Sequence, residues 1–313
     1  MLVKKEQLKI FLPVLLAVLA LAVLAGCSGG GGNANKSASV PEGWPEVLRY
    51  GVVPYESQET IARTYKPVVD ALSEYLGIKV EMYMGTDYTS MIEAMRTKKL
   101  DVAEFGPFSY VIAHERSGAE AFATPAKSPE EAFYYSLIIV PAKSNINTLD
   151  DLKGKKFLFV DPASTSGNLI PHAMLAEHFG VSSAAEVDAL FSSVSFSGGH
   201  DASILAVARG DADGAGISSS TLEKMIKSGA LKESDIRVIK KSDPIPKDPV
   251  AYRSDLPQDL KDKIREFFLN FKNEEFFKEM GINGYYPTDD SKFDVIRKVV
   301  KALNLTPEEL LKK

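Results

Sequence analysis

The chain has 313 residues, 37 Lys and Arg against 42 Asp and Glu, and a formal net charge of −5. This acidic balance argues against nucleic-acid partners and against a polybasic membrane patch. Its single cysteine excludes an intrachain disulfide and a thiolate metal cluster.

Lys4, Lys5 and Lys9 precede an apolar stretch from Ile10 to Ala25, the layout of an export signal. The junction Leu24-Ala-Gly-Cys27 resembles the bacterial lipobox, in which the Cys receives lipid and becomes the mature N-terminus. Residues 1–26 are therefore expected to be a lipoprotein signal peptide, with Cys27 the lipidation site. A free buried Cys27 and an uncleaved membrane anchor are the alternatives. Three Lys and one Glu lie ahead of Cys27, so cleavage shifts the net charge from −5 to −7. Residues 27–44 then comprise the lipidated Cys and a flexible Gly-, Ser- and Asn-rich tether with nothing to bury. Roughly 270 residues remain, enough for one large or two medium domains, and no second apolar span of membrane length follows.

The body alternates short apolar runs with amphipathic stretches, the pattern of α/β architecture. Leu48–Val53 and Ile78–Met84 read as strands. Between them Tyr65, Val68, Val69, Leu72, Tyr75 and Leu76 share one helical face, closed by Gly77. Helix is expected at Tyr88–Thr97, strand at Asp101–Phe105, helix at Pro107–Ser117 with Pro in its first turn, and strand at Phe133–Val140. A second module follows, with strands at Phe157–Val160, Phe191–Phe196, Ala212–Ile217 and Ile236–Ile239. Its helices are expected at Ser166–Phe179, His200–Ala208 and Thr221–Lys227. Pro244, Pro246 and Pro249 break the pattern, and the remainder from Leu256 reads as helices, including a last turn after Pro307. Connectors near residues 140–145 and 243–251 predict two lobes and a double crossover.

Asp161-Pro-Ala-Ser-Thr-Ser-Gly167, after the buried strand, forms a hydroxyl-rich turn opening a helix. Ser164, Thr165 and Ser166 sit where unpaired amides and the helix dipole favour a small oxyanion. Ordinary N-capping is the alternative, although one hydroxyl suffices for a cap. In Ser197-Gly-Gly-His200, two glycines permit close backbone approach and His200 falls in a helix's first turn. A satisfied or exposed His in a flexible turn is the competing reading. Asp248 suits a ligand with an ionisable P–OH or P–H group, whose proton a carboxylate accepts; on local sequence alone it is a surface Asp in a Pro-rich turn. Tyr88 and Tyr134 offer phenol donors, with core packing the default for any Tyr. The Gly-x-Ser-x-Gly elbow is missing, and His172 and His178 are six residues apart, on different faces of one helix. Gly-x-Gly-x-x-Gly and Walker patterns are absent, so nucleotide binding is not indicated.

Together these segments resemble the phosphonate/phosphite/phosphate-binding lipoproteins of ABC importers, the PhnD-like group, over essentially the whole mature body. The resemblance rests on Gly51-Val-Val-Pro-Tyr-Glu-Ser-Gln58, Gly85-Thr-Asp-Tyr88, Asp101-Val-Ala-Glu-Phe-Gly106, Asp161-Pro-Ala-Ser-Thr-Ser-Gly167, Gly198-Gly-His200 and Ile245-Pro-Lys-Asp-Pro249, in matching order and spacing. It implies a type II periplasmic-binding-protein fold, two α/β lobes joined by two crossing strands. Residues 45–140 and 250–313 would form one lobe and 141–249 the other. It further implies ligand contacts from Ser164, Thr165, Ser166, His200, Asp248, Tyr88 and Tyr134, an ABC permease with its ATPase as partners, and no cofactor or catalytic role. A monomer held on the outer face of the cell membrane by its N-terminal lipid, or a periplasmic one, is expected. Ser220 stands where aminoethylphosphonate binders of the family carry a Glu, which points to phosphite, methylphosphonate or phosphate instead. None of these motifs is expected to supply an Arg or Lys to the ligand, so binding is expected to rest on aligned neutral dipoles. The other readings are an extracytoplasmic hydrolase using Ser164 or Ser166 with His200, and the same fold binding a sulfonate or a thiamine precursor.

Overall fold

The computed structural model describes residues 40–305. The signal segment, Cys27, the tether and the turn after Pro307 lie outside the described residues.

The first half is built from β1 (Val47–Val52), α1 (Gln58–Leu76), β2 (Lys79–Tyr83), α2 (Tyr88–Arg96), β3 (Val102–Glu104), α3 (Pro107–Ser117) and β4 (Glu120–Ala126). Next come β5 (Phe133–Tyr134), β6 (Ser136–Pro141), β7 (Lys156–Phe159), a π-helical turn Thr165–Leu169 running into α4 (Ile170–Phe179), α5 (Ala184–Asp188), β8 (Ser193–Phe196), α6 (His200–Arg209), β9 (Gly214–Ser218), α7 (Ser219–Lys227) and β10 (Ile236–Lys241). The chain then returns through β11 (Ile245–Pro246) and β12 (Val250–Tyr252) to α8 (Gln258–Asn270), α9 (Glu274–Met280), β13 (Gly284–Pro287) and α10 (Asp294–Ala302).

Two mixed sheets result, ordered β13-β4-β12-β3-β1-β2 and β10-β6-β9-β7-β8. In the first, β1 runs parallel to β2 and β3, while β12 returns antiparallel between β3 and β4. In the second, β7 is parallel to β8 and β9. Parallel neighbours require helical crossovers, and α1, α2, α4 and α6 supply them. β5 and β11 pair antiparallel to each other, Tyr134 opposite Ile245, as a short ribbon where the chain passes between the sheets.

The sequence pattern yields most of these elements within a few residues. On α1, Tyr65, Val68, Val69, Leu72 and Leu76 are buried as expected, but Tyr75 is exposed. Gly77 closes the helix in the left-handed conformation at φ 67°, which glycine adopts without the Cβ penalty. The expected strand Phe133–Val140 divides into β5 and β6, and β6 belongs to the second sheet. Sheet membership thus places the first passage near residues 127–135, upstream of the expected 140–145. β4 and β13 were not anticipated. β4 carries Pro125 opposite Tyr285, and β13 spans only four residues between Gly and Pro, so neither shows a clean strand pattern.

Candidate functional site

The carboxyl ends of β3, β7 and β8 face one another, the position where open α/β sheets place ligands. Each feeds a loop that reaches a single cavity of ≈ 80 Å³. All seven residues singled out above, Tyr88, Tyr134, Ser164, Thr165, Ser166, His200 and Asp248, line it.

The hydroxyl turn divides its labour. Ser164 Oγ accepts the Gly167 amide at 3.1 Å, so this residue is a helix cap as well as a cavity wall. Thr165 Oγ1 accepts the amide of Phe108, at the start of α3, at 2.8 Å, which ties the turn to the first sheet's half. The Tyr134 phenol lies beside Ser166, Thr165 and Asp248, and that of Tyr88 beside Ser164. Gly167 must be glycine here, because a Cβ would collide with the Val160 side chain.

His200 begins α6, and its Nδ1 accepts the Ser218 amide at 3.0 Å. That contact leaves the ring proton on Nε2 as a donor. Burial pushes the imidazole pKa down to about 3, so the ring is neutral at physiological pH. Its own amide donates to Tyr55 O at 2.8 Å, a second bridge between the halves. Further bridges run from Ser57 N to Asp201 Oδ2 at 3.2 Å and from Tyr88 N to Asp161 Oδ2 at 3.3 Å. The cleft is shut over the cavity.

Asp248 precedes β12, where the Phe105 amide bonds Pro249 O at 3.0 Å and sets it beside the end of β3. Burial raises its pKa to about 6, opposed by Lys247 and the Tyr134 bond, and its Oδ1 has no hydrogen-bond partner among the described residues. A buried oxygen of this kind has acceptor capacity to spare.

The sequence reading missed four charged wall residues. Glu104 ends β3; the Tyr65 phenol donates to its Oε1 at 2.9 Å, its Oε2 is unpartnered, and burial first, then Asp248, lifts its pKa to about 8. Glu56 and Lys224 pair across the cleft at 2.7 Å. Lys247 Nζ donates to Ser220 Oγ at 2.9 Å. The expectation of a site without cations is thereby corrected: two ammonium groups stand on its wall. Only the spatial partners of these residues reveal them; Lys247 and Ser220 are 27 positions apart. The discounted histidine, His172, is engaged by Asn168 O at 2.9 Å and Asp188 Oδ1 at 3.1 Å and stacks on Phe159.

Two α/β halves joined by a crossing ribbon and shut over a small, donor-rich cavity define a bilobal solute receptor of the type II periplasmic-binding-protein fold. The family model described as "ABC transporter, phosphonate, periplasmic substrate-binding protein" matches residues 50–293. The chain belongs to this family. It is 35% identical over 305 residues to the phosphate-import protein PhnD of Mycolicibacterium smegmatis, covering 90% of this chain and 93% of that protein. It is 33% identical over 231 residues to the phosphonates-binding periplasmic protein of Escherichia coli, covering 72% of this chain and 66% of that protein. The crystal structure of a binding-protein component of a Pseudomonas aeruginosa ABC phosphonate transporter superposes with a TM-score of 0.74 at 28% identity, covering 81% of this chain and 85% of that one.

Proposed function

We propose that this protein is the solute-binding component of an ABC importer that captures a small phosphorus oxyanion between its lobes and delivers it to the permease and its ATPase. The observation that carries this reading is the convergence of Ser164, Thr165, Ser166, His200, Asp248, Tyr88 and Tyr134 on one closed cavity. Its volume of ≈ 80 Å³, at about 10–15 Å³ per water-sized probe, suits on the order of five to eight non-hydrogen atoms. Phosphite, phosphate, methylphosphonate and ethylphosphonate fall in or beside that range.

Hydroxyls and the His200 Nε2–H donate to the phosphoryl oxygens, while Asp248 accepts the proton of the remaining P–OH. Each charge-assisted bond contributes roughly 1.5–3 kcal/mol, so several outweigh desolvation and closure. Release follows opening of the halves about the β5–β11 ribbon. Among the described residues the lobes are then 45–134 with 250–305, and 135–249. We assign binding without bond-making, a reading supported by membership of a family of ABC-transporter substrate-binding proteins. Lipid attachment at Cys27 would hold a monomer on the outer face of the membrane, supported by the apolar run before the chain's only cysteine.

A thermal-shift screen over phosphite, methylphosphonate, ethylphosphonate, phosphate and sulfate tests the reading. A ligand that binds only the folded state raises the melting temperature. Stabilisation by a phosphorus oxyanion but not by sulfate is expected; indifference to every phosphorus compound overturns it.

A further inference from the structure

The cavity adjoins a larger one of ≈ 360 Å³. Tyr134, Ser220, Lys224, Lys247, Met280 and Ile282 line both and form the neck between them. A tetrahedral ligand whose oxygens are held by the hydroxyl turn and His200 must direct any long fourth substituent towards this neck, where the additional room lies.

The charges at the neck are unequal. Lys224 is neutralised by Glu56 at 2.7 Å. Lys247 is not: its Nζ donates to the Ser220 hydroxyl at 2.9 Å, and no carboxylate comes within ion-pair distance among the described residues. Of the other carboxyl groups, Asp248 and Glu104 stand on the wall of the smaller cavity, and Glu131, Glu223 and Glu279 on that of the larger one beyond the neck. Asp248 lies beside the Tyr134 phenol, near Ser166 and Thr165, and Glu104 accepts the Tyr65 phenol. Lys247 is thus the neck residue whose charge has no ion-pair partner among the described residues, and a short substituent whose tip stops at the neck lies against it.

We propose that Lys247 is a specificity-determining residue that turns away phosphonates with a cationic substituent and admits those with an apolar or carboxylated one. The proposal rests on the phosphorus-oxyanion reading of the cavity and refines its substrate class to phosphite, alkylphosphonates and carboxyalkylphosphonates. Two ammonium groups a few ångströms apart in a partly dry cleft repel strongly, whereas a carboxylate there gains a direct partner.

The test is a matched set of ligands differing only at the substituent's tip: propylphosphonate, 2-aminoethylphosphonate and phosphonoacetate, titrated calorimetrically into the wild-type chain and Lys247→Met. Met keeps the length and removes the charge. In the wild type, 2-aminoethylphosphonate is expected to bind at least roughly tenfold more weakly than propylphosphonate, and phosphonoacetate at least as well as propylphosphonate. In Lys247→Met the penalty on the amine shrinks several-fold and the carboxylate's advantage disappears. An amine bound as tightly as propylphosphonate by the wild type, or a ratio unchanged in the variant, overturns the proposal. The second result would assign the penalty to ammonium desolvation alone. Should Lys247→Met not fold, Lys247→Gln, which keeps a donor for Ser220, carries the same comparison. If the wild type binds neither these ligands nor phosphite, methylphosphonate or phosphate, the parent reading falls together with this one, a result distinct from a failed ratio.

Discussion

Thr165→Val separates a binding role from a folding role in one residue. Valine matches threonine in shape, so the cavity keeps its volume and only the hydroxyl is lost. That hydroxyl accepts the Phe108 amide at 2.8 Å across the cleft and lies on the cavity wall. Stranding a buried amide costs about 1–3 kcal/mol, so the unliganded melting temperature should fall by roughly 2–10 °C in a domain of this size. Losing a charge-assisted donor to the anion costs a further 1.5–3 kcal/mol or so, equivalent to roughly 10- to 150-fold weaker binding. Isothermal titration with phosphite or methylphosphonate measures the second quantity and calorimetric scanning the first. Thr165→Ser, which keeps the hydroxyl, is expected to retain most of the affinity. Wild-type affinity in Thr165→Val beside a lowered melting temperature would refute the assigned contact and leave Thr165 as a purely structural tie.

Asp248→Asn should relax discrimination against sulfate, which at neutral pH carries no proton for the carboxylate to accept; competition calorimetry should show the sulfate-to-phosphite affinity ratio rising roughly tenfold or more, and an unchanged ratio would remove Asp248 from selection. Glu104 titrates near 8 in the folded chain against a reference of 4.5, because burial holds its proton on. The folded state therefore keeps a proton that the unfolded state releases, and the stability this confers is complete below about pH 4.5 and lost as pH rises through about 8. Glu104→Gln removes that slope, so the melting temperature of the variant relative to wild type should climb between pH 5 and pH 8; a constant offset would show that Glu104 ionises normally. Gly167→Ala would drive a Cβ into Val160 and to 2.9 Å from Ser164 Oγ; a melting temperature lowered by several degrees together with weakened ligand response is expected, and wild-type behaviour would show that the turn yields freely.

Much of the site was legible because its residues are local to strand ends. Phe157–Val160 followed by Asp161-Pro-Ala-Ser164 advertises strand, turn and helix within a dozen positions, and His200 follows a second strand in the same way. The elements that escaped are those whose pattern is set by distant partners. β4, with Pro125 in its interior, is a strand only because β12 and β13 flank it. Lys247 reads as one charge in a proline-rich connector until Ser220 on α7 and Tyr134 on the β5–β11 ribbon are brought to it. Glu104 was inside a quoted motif, yet nothing in Asp101-Val-Ala-Glu104 shows that the carboxyl is buried against Tyr65. The expected first connector at 140–145 lay too far downstream because the apolar run Phe133–Val140 looks continuous, although the chain changes sheets between Tyr134 and Ser136.

A crystal structure of the protein grown with methylphosphonate addresses the main assertion most directly. A tetrahedral group in the shut cavity is predicted, its oxygens within about 3 Å of the Thr165 and Ser166 hydroxyls and of His200 Nε2, with Asp248 Oδ1 facing the protonated oxygen. Methylphosphonate bound only elsewhere, with this cavity holding solvent at a saturating concentration, would contradict the account.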